Sequence, residues 1–503
     1  MRIDCFVDAE AFSDFQHPRP MEDPDPLWAF NEFSGARLGD QRLTARLQNL
    51  TRQLELQPLA SIPQACGNWH QSKAAYRFCS HPKVSLKGIL QPHAQRTLER
   101  VGLSGVSVVL CPQDTTALSH NAHPATQGLG HLGTKAGKSL GLFLDSTLAL
   151  SASGEFFGLL RGHCWHRPKH KGRSTHQGQA FQEKETFRWL EGWRAVEHLA
   201  QEYPWQRWVS LFDREGDIFE LFQEATAPTC RAGLVVRARH NRALVRKNGK
   251  KGKRRLFKYM RHLPQAGTYK VQVPRHEGQP AREATLSVRW SAVSLAAPRY
   301  YEGEAPVSLW AVSAQEINPP AGLKPICWCL LSTVPVRTLK EAIECLQWYV
   351  KRWTIEDYHR VLKSGCRAEA RQLSTRERLE RILAIDMVVA WRIMNLSKAA
   401  RLEPGAPADR WLSSAQWQAL YCYHHHTRQP PQKPPTIAEA VLWIAQLGGF
   451  LARKSDGQPG SMTLWRGLQR LNDIVEAWEV FGTGNEPTPR CPKRRGKNNK
   501  RYG

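Results

Sequence analysis

Between Trp348 and Arg367 the chain reads WYVKRWTIEDYHRVLKSGCR, and its polar positions recur at a helical interval. At about 100° per residue, Tyr349, Arg352, Glu356, Arg360 and Lys363 fall within an arc of about 80°, with Trp353 and His359 near its edges. Val350, Ile355, Tyr358, Val361 and Leu362 point the other way. The pattern predicts one amphipathic helix that buries its apolar side and holds a carboxylate, bases and rings over a cleft. The competing reading is an ordinary helix with a solvated charged face. Against it, Glu356 is the lone carboxylate among Arg352, Arg360 and Lys363 on that face, whereas solvated faces usually mix several acids with their bases.

The same patterning divides the rest of the chain. Four prolines, Pro18, Pro20, Pro24 and Pro26, mark residues 1–27 as an irregular lead-in. Leu43, Leu47, Leu50 and Leu54 predict a helix from Asp40, with Arg42, Arg46 and Arg52 off the apolar stripe, and helical character continues through 66–100. From Gly105 the period shortens. Strands are predicted at VSVVL leading into Gln113-Asp114-Thr115-Thr116, at SLGLFLDSTLALS and at GEFFGLLRGH, with hairpin-like spacing that implies an antiparallel start. A helix over 179–203, a strand over 208–212 ending at Asp213, a short helix from Asp217 and a strand over 234–239 follow. The expected fold class is α/β, a mixed sheet covered by helices. Residues 241–333 read as a β-rich insertion that opens on RKNGKKGKRR, and Arg376–Ala400 as another helix. The Pro-rich QPPQKPPT precedes a last helical region and a basic tail from Arg490. The domains expected are 1–100, 101–400 with the insertion inside it, and 401–503.

Composition sharpens this picture. A chain of 503 residues with 41% hydrophobic residues and 18 Trp has enough apolar chain for a core, and no apolar run approaches the roughly 20 residues of a membrane span. The acidic start MRIDCFVDAE is unlike a signal peptide. With 71 Lys+Arg against 45 Asp+Glu, the net charge of +26 and a pI near 9.8 predict a polyanion partner, nucleic acid first. The 12 Cys lie scattered in apolar contexts, as in Cys327-Trp328-Cys329, which fits reduced thiols in a cytoplasmic protein.

Asp114 and Asp213 each end a buried-looking strand, where site residues gather in such sheets, although a turn or capping aspartate is the commoner use of Asp there. Together with Glu356 they make three carboxylates suited to hard divalent cations such as Mg²⁺. Two ions about 4 Å apart would activate an attacking oxygen and steady the leaving one at phosphorus. Other motifs are weaker. GTKAGKS at 133–139 lacks the first glycine of a phosphate loop, having Leu132 there, and His163-Cys164-Trp165-His166 and Cys422 with His424–His426 lack second pairs at finger spacing.

DTTALS at Asp114, FDREGDI at Asp213 and Tyr349-x2-Arg352-x3-Glu356-x6-Lys363 resemble the bacterial cut-and-paste transposases of the IS-four family, whose signature is that Tyr, Arg, Glu, Lys spacing. Further likenesses are LGDQRLTARL, AAYRFCSHPKVS, GLLRGHCWHRP, VVRARH, QEINPP and IAQLGGF. The resemblance implies a ribonuclease-H-like core, an N-terminal domain for transposon-end DNA and a C-terminal helical dimerisation region. It makes Asp114, Asp213 and Glu356 the catalytic, metal-binding triad, for two Mg²⁺ ions with Mn²⁺ as a substitute. It gives Tyr349, Arg352 and Lys363 the phosphates near the cleaved bond, and Arg237 a DNA contact, with Arg360 and Trp353 as further contacts. Trp328 would stack a flipped base during hairpin formation. The implied partners are double-stranded DNA, both transposon ends and target, and a second copy of the chain, with no membrane and a bacterial cytoplasmic, nucleoid-associated location. Trp443, Leu447 and Phe450 are candidate packing residues between protomers. Two other readings share these residues: a non-catalytic DNA-binding protein on the same scaffold, and a metal-dependent nuclease that cuts without joining.

Overall fold

A computed structural model describes residues 28–133, 139–167, 180–245, 251–273, 281–301, 303–453 and 456–481, side chains of 251–253 excepted. The RKNGK and TKAGK stretches and the basic tail therefore lie outside the described residues. The described chain falls into two compact units, one through Leu402 and one from Glu403.

The first unit opens with helices α1 (Trp28–Glu32), α2 (Gln41–Leu56), α3 (Ile62–Cys66), α4 (Trp69–Ser80) and α5 (Leu86–Ser104). Asp40 caps α2 by accepting from the Arg42 amide at 2.8 Å, and the predicted stripe buries Leu47, Leu50 and Leu54. Strands β1 (Val108–Ser119), β2 (Gly130–His131), β3 (Leu140–Ser151) and β4 (Phe156–Trp165) follow, then α6 (Phe187–Glu202), β5 (Arg207–Phe212), α7 (Phe219–Ala225) and β6 (Gly233–Arg237). The antiparallel start is present: β1 pairs with β3 and β3 with β4, while β1, β5 and β6 run parallel. Trp189, Trp193, Trp208, Phe212 and Phe222 form the core beneath this sheet. Gly192 lets α6 lie against β1, because a Cβ there would sit 1.9 Å from Gln113 Oε1.

The segment expected as a β-rich insertion extends the same sheet. It comprises β7 (Ala243–Val245), β8 (Lys251–Arg255), helix α8 (Leu256–His262), β9 (Gly267–Val273), β10 (Arg282–Leu295), β11 (Val307–Glu316) and β12 (Cys327–Ser332). β12 pairs antiparallel with β6, Leu330 opposite Arg237, so the sheet of 12 strands is continuous and mixed. The physical reason is that β6 offers an open edge whose backbone groups need partners.

The predicted single helix over 348–367 is broken twice. Helix α9 (Leu339–Lys351), started by a Thr338/Glu341 capping box, ends at Arg352, and α10 (Thr354–Arg360) begins after Trp353. A π-helical turn over Val361–Gly365 then carries Lys363, a local widening often found at functional sites. Ile355, Tyr358, Val361 and Leu362 are buried as expected, but Tyr349, Arg352 and His359 from the polar side are buried too. They face the sheet rather than solvent. Helix α11 (Arg376–Leu402) closes the unit with Leu379, Ile382, Leu383, Ile385 and Val389 buried.

The second unit holds α12 (Ser414–His425), α13 (Ile437–Leu447) and α14 (Ser461–Phe481). The Pro-rich stretch lies inside this unit, pinned where the Ala408 amide donates to Pro435 at 2.8 Å. Trp443 and Leu447 are buried within the unit, Trp443 stacking on His424 at 4.7 Å, and Phe450 is partly buried. These residues therefore pack intramolecularly, since α13 meets α14 closely through Gly467, where a Cβ would strike Ile444 O at 1.7 Å. Tyr423, Val480 and Phe481 are the large apolar residues this unit leaves exposed on α12 and α14.

Candidate active site

Parallel pairing brings two of the predicted carboxylates side by side. Pro112 of β1 is opposite Leu211 of β5, and two residues further on each strand stand Asp114 and Asp213. Asp114 continues in β1 opposite Ser146 of β3; Asp213 ends its strand and accepts from the Glu215 amide at 2.7 Å, starting a short 3-10 turn. So Asp213 makes the turn of the competing reading.

Glu356 approaches from α10. Arg352 joins it to the sheet, donating from Nη2 to Glu356 Oε1 at 2.5 Å and from Nη1 to Asp114 Oδ2 at 3.3 Å. Burial pushes the Asp114 carboxyl up to about 7; Arg352 and the Thr115 amide oppose this, while the negative charges of Asp213 and Glu356 add to it. Asp114 thus feels the charge of both other acids. Tyr349 lies in the same place: burial pushes its hydroxyl up, Arg352 and Arg237 beside it pull the other way, and Asp213 adds to the rise.

Arg237 ends β6 and donates to Cys327 O at 3.1 Å. Trp328, on β12, is only 3% exposed, with Tyr349 and Trp353 edge-on at 5.9 and 5.8 Å. Trp353 is the outer ring of that trio, at 37%. Lys363 is partly exposed near buried His359, whose imidazole burial holds down at about 3. Arg360 points to solvent and pairs with Asp357 at 3.3 Å, with no recorded bond to the three acids.

Hard carboxylate oxygens fit a divalent cation, and Asp213 and Glu356 add their negative charge to the burial that raises Asp114. Among the described residues, however, no group of three or more His, Cys, Asp or Glu is close enough to hold a metal ion. The Arg352 guanidinium occupies the space between Asp114 and Glu356, supplying the positive charge in this arrangement, and its Nε is buried without a hydrogen-bond partner.

Sequence reasoning missed the support behind β1. Asp145 on β3 is fully buried, bonded to Arg161 at 2.6 Å, to Gln113 and to Thr115 Oγ1 at 3.1 Å. Arg188 of α6 donates to Thr115 Oγ1 at 2.8 Å and to Glu215 at 2.6 Å, so one side chain braces the neighbours of both aspartates. His359 reaches Ser146, opposite Asp114, at 3.3 Å. The available signal was an acid inside the apolar run FLDSTLAL, since a buried charge requires partners.

Comparison with protein families matches both ends of the chain. Residues 25–84 match the family described as transposase DNA-binding, and residues 388–482 match the transposase Tn5 dimerisation domain. These matches support a Tn5-like transposase. Neither stretch includes Asp114, Asp213 or Glu356. A solved structure, the cryo-EM piggyBac transposase synaptic complex with hairpin DNA, aligns at 11% identity and a TM-score of 0.28 over 76% of this chain and 60% of that one. The aligned part thus spans less than two thirds of that protein. Among the described residues no helix is long and apolar enough to cross a membrane.

Proposed function

We propose that the chain is a DNA transposase that binds the terminal inverted repeats of an insertion sequence and moves it by phosphoryl transfer at Asp114, Asp213 and Glu356. The observation that carries this reading is the meeting of those acids: two at adjacent ends of parallel strands, the third tied to the first through Arg352. The sheet order, with β4, β3 and β1 antiparallel and β1, β5 and β6 parallel, supports a ribonuclease-H-like core. The two matched regions support end binding through the first helices and pairing of two protomers through the last.

Mg²⁺, with Mn²⁺ able to replace it, would need Asp114, Asp213 and Glu356 closer together than this arrangement holds them; bound there, it would supply charge neutralisation and an activated oxygen. The chain's own task is positioning. Arg352 and Tyr349 lie beside the acids as donors for phosphate oxygens, with Arg237 at the end of β6, and Lys363 on the π-helical turn would add a further donor. Nicking, hairpin formation, hairpin opening and strand transfer are all phosphoryl transfers, so one site can serve the four steps.

The test is single-turnover cleavage and joining of an end-containing duplex in Mg²⁺. Asp114→Ala, Asp213→Ala and Glu356→Ala should each abolish both reactions while leaving end binding largely intact, because affinity comes mainly from phosphate contacts elsewhere. Normal cleavage by a variant removes that residue from the triad; cleavage without joining by the unaltered protein favours a nuclease.

A further inference from the structure

We propose that α8 and the end of β8 before it carry a phosphate track for duplex DNA leading away from the carboxylate site. This deepens the transposase reading and rests on it. The helix buries Leu256 and Met260, while Lys258, Arg261 and His262 on it and Arg254 and Arg255 at the end of β8 are exposed. No Asp or Glu occurs between Glu224 and Glu277. Among the described residues none of Arg254, Arg255, Lys258 or Arg261 has an ion-pair partner. A solvated face normally interleaves acids with its bases; this one is uniformly positive and uncompensated.

Its position gives it a direction. One depression, of about 520 Å³, is lined by Arg254, Arg255, Lys258, Tyr259, His262 and Leu263. A second, of about 490 Å³, is lined by Arg214, Ala238, Arg239 and Phe257. Phe257 belongs to α8 and Arg214 directly follows Asp213, so the basic surface runs from the candidate active site out to Lys258. The occupant it fits is duplex DNA rather than a single strand. Unpaired bases need exposed rings on which to stack, but Tyr259 is partly buried and its hydroxyl shares a hydrogen bond with Ser291 at 3.0 Å. The exposed groups here are mainly guanidinium and ammonium, which read the phosphate backbone independent of sequence.

The experiment measures equilibrium binding of the full chain to a 40-base-pair duplex of arbitrary sequence between 50 and 200 mM salt. With about 0.9 lost from the salt slope per phosphate contact, the Arg254→Gln/Arg255→Gln/Lys258→Gln variant should bind with a slope shallower by about 2.7. That corresponds to roughly 40-fold less affinity lost across the range. Arg254→Lys/Arg255→Lys, which keeps the charge, should retain the full slope. A Gln variant with the unaltered slope overturns the track, as does a Lys variant that loses as much as the Gln variant. Failure of the unaltered chain to bind the duplex at all is a separate result and overturns the transposase reading instead.

Discussion

Arg352 Nη1 lies 3.3 Å from Asp114 Oδ2 although 238 residues separate the two. Both side chains are largely withdrawn from water, at 9% and 22% exposed, so Asp114 depends on Arg352 for charge compensation, while Arg352 is shared with Glu356. Removing one partner of such a pair leaves an isolated charge that is costly to keep.

Arg352→Ala should therefore lower cleavage by about 100-fold or more, the scale seen when one preorganised donor is lost from a reacting centre, with end binding changed little. Arg352→Lys should recover only a small part. An ammonium is a point charge and cannot donate to Asp114 and Glu356 in the forked geometry that the guanidinium uses. Single-turnover cleavage beside a gel-shift titration checks both, and cleavage by Arg352→Lys at the unaltered rate would show that charge alone suffices.

How much of this was legible beforehand depends on what each residue's neighbours are. Asp114 and Asp213 stood out because an acid at the end of an apolar strand is visible in one dimension. Their adjacency was not, since it comes from the parallel register of β1 on β5. The burial of Tyr349 and Arg352 was misread for a related reason: a helical wheel reports polarity, and these polar groups face other polar groups inside the fold. The break at Arg352–Trp353 left no Pro or Gly as a mark. Trp443 and Leu447 looked like a protomer interface because an apolar helix face has the same pattern whether α14 or another chain covers it.

The fold should also lose stability in acid at a definable place. Glu32 of α1 accepts from Arg100 and lies 2.5 Å from His93, both on α5. Burial alone would raise its pKa, but Arg100 and His93 outweigh that and bring it down to about 2. A carboxylate with a depressed folded pKa contributes stability that is fully present above its unfolded value near 4.5 and is lost as pH falls toward about 2. The shift corresponds to about 3 kcal/mol. His93 works in the same direction: burial lowers its pKa below 6.5, against the opposing pull of Glu32, so protonation of the unfolded chain below about 6.5 favours unfolding. Urea midpoints should fall as pH drops from 6 to 3, and Glu32→Gln should flatten the part below 4.5. An equally steep decline in the variant would assign the acid sensitivity elsewhere.

The aromatic trio of Trp328, Tyr349 and Trp353 offers a second ring for the stacking expected of Trp328. A hairpin requires a sharp bend in the strand, which drives a base out of the stack and onto an aromatic surface. Trp328 was the expected surface, yet at 3% exposed it lies beneath Tyr349 and Trp353, whereas Trp353 presents its ring at 37%. In this arrangement a displaced base meets Trp353 first and reaches Trp328 only if Trp353 swings aside. Trp328→Ala should then act chiefly through the core, costing about 3 to 5 kcal/mol of stability as a buried Trp lost to a cavity. Trp353→Ala should cost much less stability, leave first-strand nicking nearly normal and slow hairpin formation by roughly tenfold or more, if stacking of about 1.4 kcal/mol or above is lost. Denaturation midpoints and single-turnover rates for the two steps decide the matter. Selective slowing of hairpin formation by Trp328→Ala at unchanged stability would return the stacking role to Trp328, with Trp353 as the ring that moves.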